Sequence, residues 1–378
     1  MTDIVIAGYT RTPFHFSRKG AFADTRPDDL AAAAVRELLR RTGLTPELIE
    51  DLVLGCSYPE AEQGYNVARI AGFLAGFGDV VPGVTINRFC GSSMSAVHYA
   101  AGQIALGLGD AFISGGVESM SRVPQGGFNK SPNPQLVETW PEAYTLMGTT
   151  AENVARHFGV SRAEQEALAV QSHAKAAQAR QQGRLAEEIV PVQTAAGLVS
   201  EDGCIRPGTT AEALAGLKPA FSEGGSVTAG TSSPLTDGAS ALLVCSMAFA
   251  REHGLNPLAR IRSAAVAACK PELMGIGPIP ASRKALARAG LSVADLDIVE
   301  INEAFASQAI ACARDLEFDM DRVNLDGGGI AIGHPLGATG ARLIGKAASL
   351  LQREGGQFAL ATQCIGGGQG IATILEAV

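Results

Sequence analysis

An internal duplication constrains this chain more than any other feature. Residues 37–56, "ELLRRTGLTPELIEDLVLGC", and residues 284–303, "KALARAGLSVADLDIVEINE", follow one plan: a helix-forming run, a Gly-Leu pair, a capping Thr45 or Ser292, then an acidic residue leading into an apolar strand. With a single gap, Cys56 aligns with Asn302. Further along, the first copy reaches Cys90 and the second His334. Each precedes a helix-compatible run, "SSMSAVHYAAGQIALG" or "PLGATGARLIGKAASLLQR", that leads to a strand-like segment, "DAFISGG" or "QFALATQC". The openings correspond too, "DIVIAGYTRTPF" with "ARIRSAAVAACKP". Alternating strands and helices predict a mainly parallel sheet with helices on its faces, and the duplication predicts two such units packed together. Chemistry on such sheets gathers at the carboxyl ends of strands. Cys90, Asn302, His334 and Cys364 all follow predicted strands, so a pseudo-twofold pairing would bring them into one cleft.

Between the copies lies a differently composed stretch, 119–228, in which Ser161 and Glu164 form a capping box that opens a long helix. It is read as an insertion that folds over the core. The expected units are 1–118 with 229–258, the inserted 119–228, and 259–378. At 378 residues with 46% hydrophobic content, the chain can bury more than one core. Few aromatics (5%) beside abundant Gly and Ala favour close-packed helices on a sheet, and a net charge of −8 argues against a nucleic-acid partner. No apolar run has transmembrane length, and the opening "MTDIVIAGYTRTPF" lacks the pattern of a signal peptide, so a cytoplasmic location is expected.

The seven cysteines are an odd, widely spaced set without a CxxC pair, which indicates neither a disulfide framework nor a zinc site. Cys245 and Cys269 sit in apolar runs and read as core fillers. Cys90, in "NRFCGSSMSA", reads either as a buried cysteine under a helix start or as a thiol activated by the N–H groups and dipole of that helix. His334 is the one histidine of six set in a glycine-rich turn, at the position equivalent to Cys90. A Cys/His pair suits nucleophilic catalysis. Cys364, in "QCIGGGQGIA", precedes glycines that free N–H groups for an oxyanion, and its thiol reads either as an acid or base or as inert. His98, His157 and His173 read as packing or surface residues. No GxxxxGK[ST], GxGxxG or GxSxG occurs, which disfavours a nucleotide loop or a serine hydrolase.

Four separated motifs, "NRFCGSSMSA", "NEAFA", "GGGIAIGHPLGATGAR" and "CIGGGQG", resemble those of thiolases. "MGTTAENVAR", "TAGTSSPLTDGAS" and "MGIGPIPAS" extend the resemblance over essentially the whole chain, with wording nearest the degradative 3-ketoacyl-CoA enzymes of β-oxidation. The resemblance implies an α/β fold of duplicated βαβαβαββ units in a five-layered α-β-α-β-α core, with the insertion as a loop domain covering coenzyme A. It implies that Cys90 takes the acyl group as a thioester, that His334 moves the proton between Cys90 and the CoA thiol, and that Cys364 protonates the acetyl-CoA carbanion. One oxyanion hole would use His334 with a water held by Asn302, the other the N–H groups of Cys90 and Gly366. Ser233, Ala229, Phe221, Met147, Ala304 and Phe305 would line the CoA channel. CoA would be a substrate, with no metal or prosthetic group required. The assembly would be a homodimer or homotetramer, with a β-oxidation hydratase/dehydrogenase subunit as a further partner.

Other readings stay open at this level. Short-chain acetoacetyl-CoA enzymes often carry a histidine before the methionine of "MGTTAEN", where this chain has Leu146. A β-ketoacyl synthase shares the fold but would be expected to carry a second histidine where Cys364 stands. A catalytically idle CoA- or lipid-binding relative would be expected to lack one of Cys90, Asn302, His334 or Cys364.

Overall fold

A computed structural model describes residues 2–378. Its strands are β1 (Ile4–Arg11), β2 (His15–Phe16), β3 (Asp51–Gly55), β4 (Gly83–Ile86), β5 (Ala111–Ser119), β6 (Val192–Thr194), β7 (Gly197–Val199), β8 (Thr236–Ser246), β9 (Ala259–Ala268), β10 (Ile298–Ile301), β11 (Phe358–Ile365) and β12 (Gln369–Glu376). The main sheet runs β10-β11-β12-β9-β1-β8-β5-β3-β4, with β2 paired to β8. The two copies are its two halves, joined only where Val5 and Ile6 of β1 meet Arg260 and Ala259 of β9.

The sheet is mixed rather than mainly parallel. β3 is parallel to β4 and β5, and β10 to β11, but β8 and β12 run antiparallel to both neighbours. For β12 the cause is local. Gly367 and Gly368 adopt φ of +77° and +76°, which glycine alone reaches cheaply, and they turn β11 straight back as a hairpin. The first unit realises βαβαβαββ in full. In the second, the strand equivalent to β4 shrinks to one bridge between Val299 and Val323.

Five layers follow from which faces are apolar. The helices Pro27–Thr42 and Val67–Ala75 cover the outside of the first half-sheet, and Pro278–Ala289 and the helix Ala306–Asp315 the outside of the second. Between the half-sheets lie the helices Ser92–Ala105 and Leu336–Glu354, which pack on each other and on both halves. A helix in a middle layer has no water-facing side, which is why Leu336–Ala348 is buried throughout and rich in Gly and Ala. The central strands β5 and β8 are likewise buried at every residue. The inserted stretch contributes the helices Met147–His157 and Arg162–Gln181, the hairpin β6-β7 and long loops. Among the described residues no helix is long and apolar enough to cross a membrane.

Candidate active site

Cys90 stands at the end of a strained turn. After β4, Phe89 takes φ of +44°, a left-handed conformation that a bulky side chain rarely adopts. Side chains fix it there: Asn87 Oδ1 accepts the Phe89 N–H at 2.9 Å, Asn87 Nδ2 donates to Ser57 O at 3.0 Å, and Ser92 Oγ accepts the Arg88 N–H at 2.9 Å. The turn delivers Cys90 just ahead of Gly91, the N-cap of the helix Ser92–Ala105. Burial, and with it the nearby charge of Glu118, pushes the thiol up to about 11, although the backbone N–H groups of Gly366 and of Cys90 itself pull the other way. The helix start is therefore where the sequence places it, but the resting group is a thiol. A thiolate here needs a base.

The His334 ring is held in a form that can act as one. Its Nδ1 lies 2.6 Å from Thr339 Oγ1, and that hydroxyl spends its only proton on Pro335 O at 3.0 Å. Thr339 can then only accept, so Nδ1 carries the ring proton and Nε2 keeps its lone pair. Nε2 is buried with no protein partner. Burial, and then the charge of Arg342, lower the ring's pKa to about 3, so the imidazole rests neutral. The His334 N–H donates to Thr236 Oγ1 at 3.0 Å, which ties this loop to the start of β8.

Cys364 lies inside β11, one residue before its end, rather than after the strand, and Gly366 opens the hairpin turn that follows. Burial, then Cys90, raise the Cys364 pKa well above the usual thiol range, so it holds its proton. Between them Gln363 donates through Nε2 to the Cys90 carbonyl. Asn302 follows β10, and both polar atoms of its side chain are buried and unpartnered. A Cβ on Gly329 would fall 2.6 Å from Asn302 Oδ1, so the glycine run before His334 lies directly against it. The adjacent Glu303 holds that run: its carboxylate accepts Ser172 Oγ at 2.6 Å, Asn324 Nδ2 at 2.8 Å and the Ile330 N–H at 3.3 Å. Buried polar groups normally find partners. Among the exceptions are His334 Nε2, whose lone pair awaits a donor such as a thiol or a water, and the Asn302 amide, which a water would satisfy.

The family description "Thiolase, N-terminal domain" matches residues 4–248, and "Thiolase, C-terminal domain" matches residues 255–377. The chain belongs to the thiolase family. It is 46% identical to a Bacillus subtilis (strain 168) protein named 3-ketoacyl-CoA thiolase, with both chains covered in full. A Saccharophagus degradans protein of the same name is 47% identical, over all of this chain and 98% of its own. Among solved structures, the Bacillus anthracis acetyl-CoA acetyltransferase superposes with a TM-score of 0.91 at 38% identity, over 100% of this chain and 99% of that one.

The thiolase resemblance also proposed a wall for CoA, and those residues largely lie together. Met147, Ala304, Phe305 and Cys364 share one apolar cluster, and the Met147 sulfur would sit 3.7 Å from a Cβ on Gly366. Phe221, half-exposed, meets Phe305 edge to face at 5.8 Å, and the Ser233 N–H donates to Ala304 O at 2.9 Å. Ala229 is exposed at the start of the turn Ala229–Thr231. Leu146, where short-chain relatives place a histidine, is 77% exposed and does not reach this cluster. Sequence reasoning missed Thr339, Gln363, Glu303 and Glu118. Each is a polar residue inside an apolar or glycine-rich run, which is the signal that would have flagged them.

Proposed function

We propose that this thiolase-family protein is a 3-ketoacyl-CoA thiolase that cleaves 3-ketoacyl-CoA with CoA into acetyl-CoA and an acyl-CoA shorter by the two carbons lost. The observation that carries the reading is the pair of buried, unpartnered groups, His334 Nε2 and the Asn302 amide, together with a buried Cys90 that packs on Leu336, two residues after His334, and whose carbonyl accepts Gln363 Nε2 next to Cys364. His334 Nε2 takes the Cys90 proton, and the thiolate attacks the 3-keto carbon. The developing oxyanion is met by backbone N–H donors. The C2–C3 bond then breaks and its electron pair leaves on the acetyl-CoA fragment, which takes the Cys364 proton. His334 passes its proton to the Cys364 thiolate and then takes the thiol proton of a second CoA, whose sulfur attacks the thioester; Cys90 leaves as a thiolate and takes that proton back. Splitting the reaction in two lowers each barrier.

CoA enters as a substrate past Phe221, Met147 and Ser233, and the reading needs no metal or prosthetic group. Sequence relatives named 3-ketoacyl-CoA thiolase support a longer-chain substrate, and the exposed Leu146 weighs against an acetoacetyl-CoA specialist. A role in β-oxidation in the cytoplasm, beside a hydratase/dehydrogenase subunit, is part of the same proposal. So is a homodimer or homotetramer, supported by β4, a half-buried edge strand whose outer side carries no partner among the described residues. The test is CoA-dependent cleavage of 3-ketoacyl-CoA from four to sixteen carbons, with Cys90→Ala as control. Cleavage that peaks above four carbons and disappears in Cys90→Ala is the expected result. Activity on acetoacetyl-CoA alone would make the enzyme an acetyl-CoA acetyltransferase, and none at any length would remove the enzymatic reading.

A further inference from the structure

Glu118 lies next to the last residue of β5 and is fully buried. Among the described residues no cation pairs with it. Every neighbour within reach is a donor. Oε2 accepts the Ser57 N–H at 2.8 Å and the Gly337 N–H at 2.9 Å; Oε1 accepts Gln63 Nε2 at 2.8 Å, the Tyr58 N–H at 3.3 Å and the Cys56 thiol at 3.8 Å. Burial raises its pKa while those donors lower it, and with five donors turned on its two oxygens the group is a carboxylate. A buried charge survives only where donors replace water, and here five do.

Those donors come from both copies of the duplicated plan. Ser57, Tyr58 and Gln63 belong to the segment after β3. Gly337 lies in the first turn of the helix Leu336–Glu354, just ahead of the Thr339 that fixes the His334 ring. The seat is tight: a Cβ on Gly337 would fall 2.4 Å from Val117 O and 2.8 Å from Gly55 O. Glu118 also acts on Cys90, against which Tyr58, Met120 and Leu336 pack.

We propose that Glu118 is a positioning residue of this site: it clamps the first turn of the His334-side helix onto the loop after β3 and keeps a fixed negative charge beside the Cys90 sulfur. It touches neither substrate nor reacting atoms. The clamp sets the Thr339–His334 pair against Cys90. The charge disfavours a free thiolate, so the sulfur ionises only as its proton passes to His334. The ionisable groups bearing on the Cys90 sulfur and its surroundings are Glu118 from β5, Tyr58 from the loop after β3 and Cys364 from β11; Cys56 faces Glu118, and Arg342 bears on His334 from the helix side. The proposal rests on the reading of Cys90 as the nucleophile.

The test uses the full chain with Glu118→Gln, which keeps the shape and removes the charge, and Glu118→Asp, which keeps the charge and shortens the clamp. Steady-state thiolysis gives kcat and KM, and mass spectrometry of the Cys90 peptide follows iodoacetamide alkylation against pH. In Glu118→Gln, kcat falls about tenfold or more with KM for CoA near wild type, as for a misplaced catalytic group. Its Cys90 alkylation profile moves to lower pH, because removing a neighbouring negative charge favours the thiolate. In Glu118→Asp, kcat falls while the alkylation profile stays near wild type. Wild-type kcat in either variant, or an alkylation profile in Glu118→Gln that stays put or moves to higher pH, overturns the proposal. If Glu118→Gln does not fold, Glu118→Asp decides alone. Failure of the thiolase reading looks different: the wild-type chain then cleaves no 3-ketoacyl-CoA, while the alkylation profiles still report on the charge.

Discussion

His334 Nδ1 and Thr339 Oγ1 lie 2.6 Å apart, and because the hydroxyl donates to Pro335 O, the imidazole is locked with its lone pair on Nε2. Valine has the same shape as threonine without the hydroxyl. Thr339→Val frees the ring to rotate and to take the other tautomer, so kcat should fall by about 100-fold, the low end of what a placed acid–base group contributes. KM should change little, since Thr339 faces the ring and not the substrate. Thr339→Ser should recover most of the loss. Steady-state kinetics of the three proteins check this, and an unchanged kcat in the valine variant would show that the contact does not set the base.

The same ring links acid to stability. Burial lowers the folded His334 pKa to about 3, against an ordinary 6.5. Between those values the unfolded chain takes up a proton that the folded chain refuses, so the contribution is fully present above about pH 6.5 and drains away as the pH falls towards 3. The expected loss from this group is a few kcal/mol by the lower limit. Urea midpoints measured from pH 7.5 down to 4 should decline more steeply for the wild type than for His334→Gln, which has no proton to gain.

What the sequence revealed of this site followed from chain order. The duplication placed Asn302 and His334 opposite Cys56 and Cys90, and the structure puts each pair at matching ends of β3 and β10 or ahead of the two middle helices. Local signals read correctly too, such as the capping box of Ser161 and Glu164. What sequence order cannot carry is contact between distant segments. The direction of β12 depended on how tightly Gly367 and Gly368 turn. The Cys90 pKa depended on burial under Tyr58, Met120 and Leu336, which reversed the activation that a helix start alone suggests. Gln363 stands in the sequence only as a polar residue beside Cys364, yet alternation along β11 sends the two side chains to opposite faces, and Gln363 donates to the Cys90 carbonyl.

Cys364 keeps its proton under strong burial, which suits an acid that is needed in only one half of the reaction. Cys364→Ala should therefore abolish carbon–carbon cleavage, by about 1,000-fold, within the range of a lost general acid. The transfer of an acyl group between CoA molecules, which needs Cys90 and His334 but no carbanion, should persist. Isotope exchange between acyl-CoA and labelled CoA checks it. Equal loss of both activities would mean that Cys364 shapes the pocket rather than moves a proton.

Gly148 lies under the Phe221 ring, with space for no Cβ: one would fall 2.0 Å from the ring edge. Phe221 is half-exposed and can swing, so Gly148→Ala should displace it from Phe305 without disturbing the core. If Phe221 lines the CoA path, KM for CoA should rise about tenfold with kcat of the saturated enzyme nearly unchanged. A drop in kcat with constant KM would place Phe221 away from CoA.

The helix that positions His334 is itself anchored by charge. Asp326, fully buried, accepts Lys346 Nζ at 3.1 Å and Arg353 at 2.7 and 3.0 Å. Lys346 also pairs at 2.6 Å with Glu188 of the inserted stretch, and Glu188 with Arg11 of β1 at 2.7 Å. The network thus joins the middle helix, the insertion and the first strand. Removing one carboxylate leaves cations buried against each other, a larger penalty than the pair's own net worth. Asp326→Asn should cost about 3 kcal/mol in denaturant unfolding. Replacing Asp326 and Lys346 together, as Asn and Met, should cost less than the single change, because the cation that faces Arg353 without the carboxylate between them is gone. A double variant less stable than Asp326→Asn alone would mean that Lys346 matters more to Glu188 than to Asp326, and that the insertion is held chiefly from its own side.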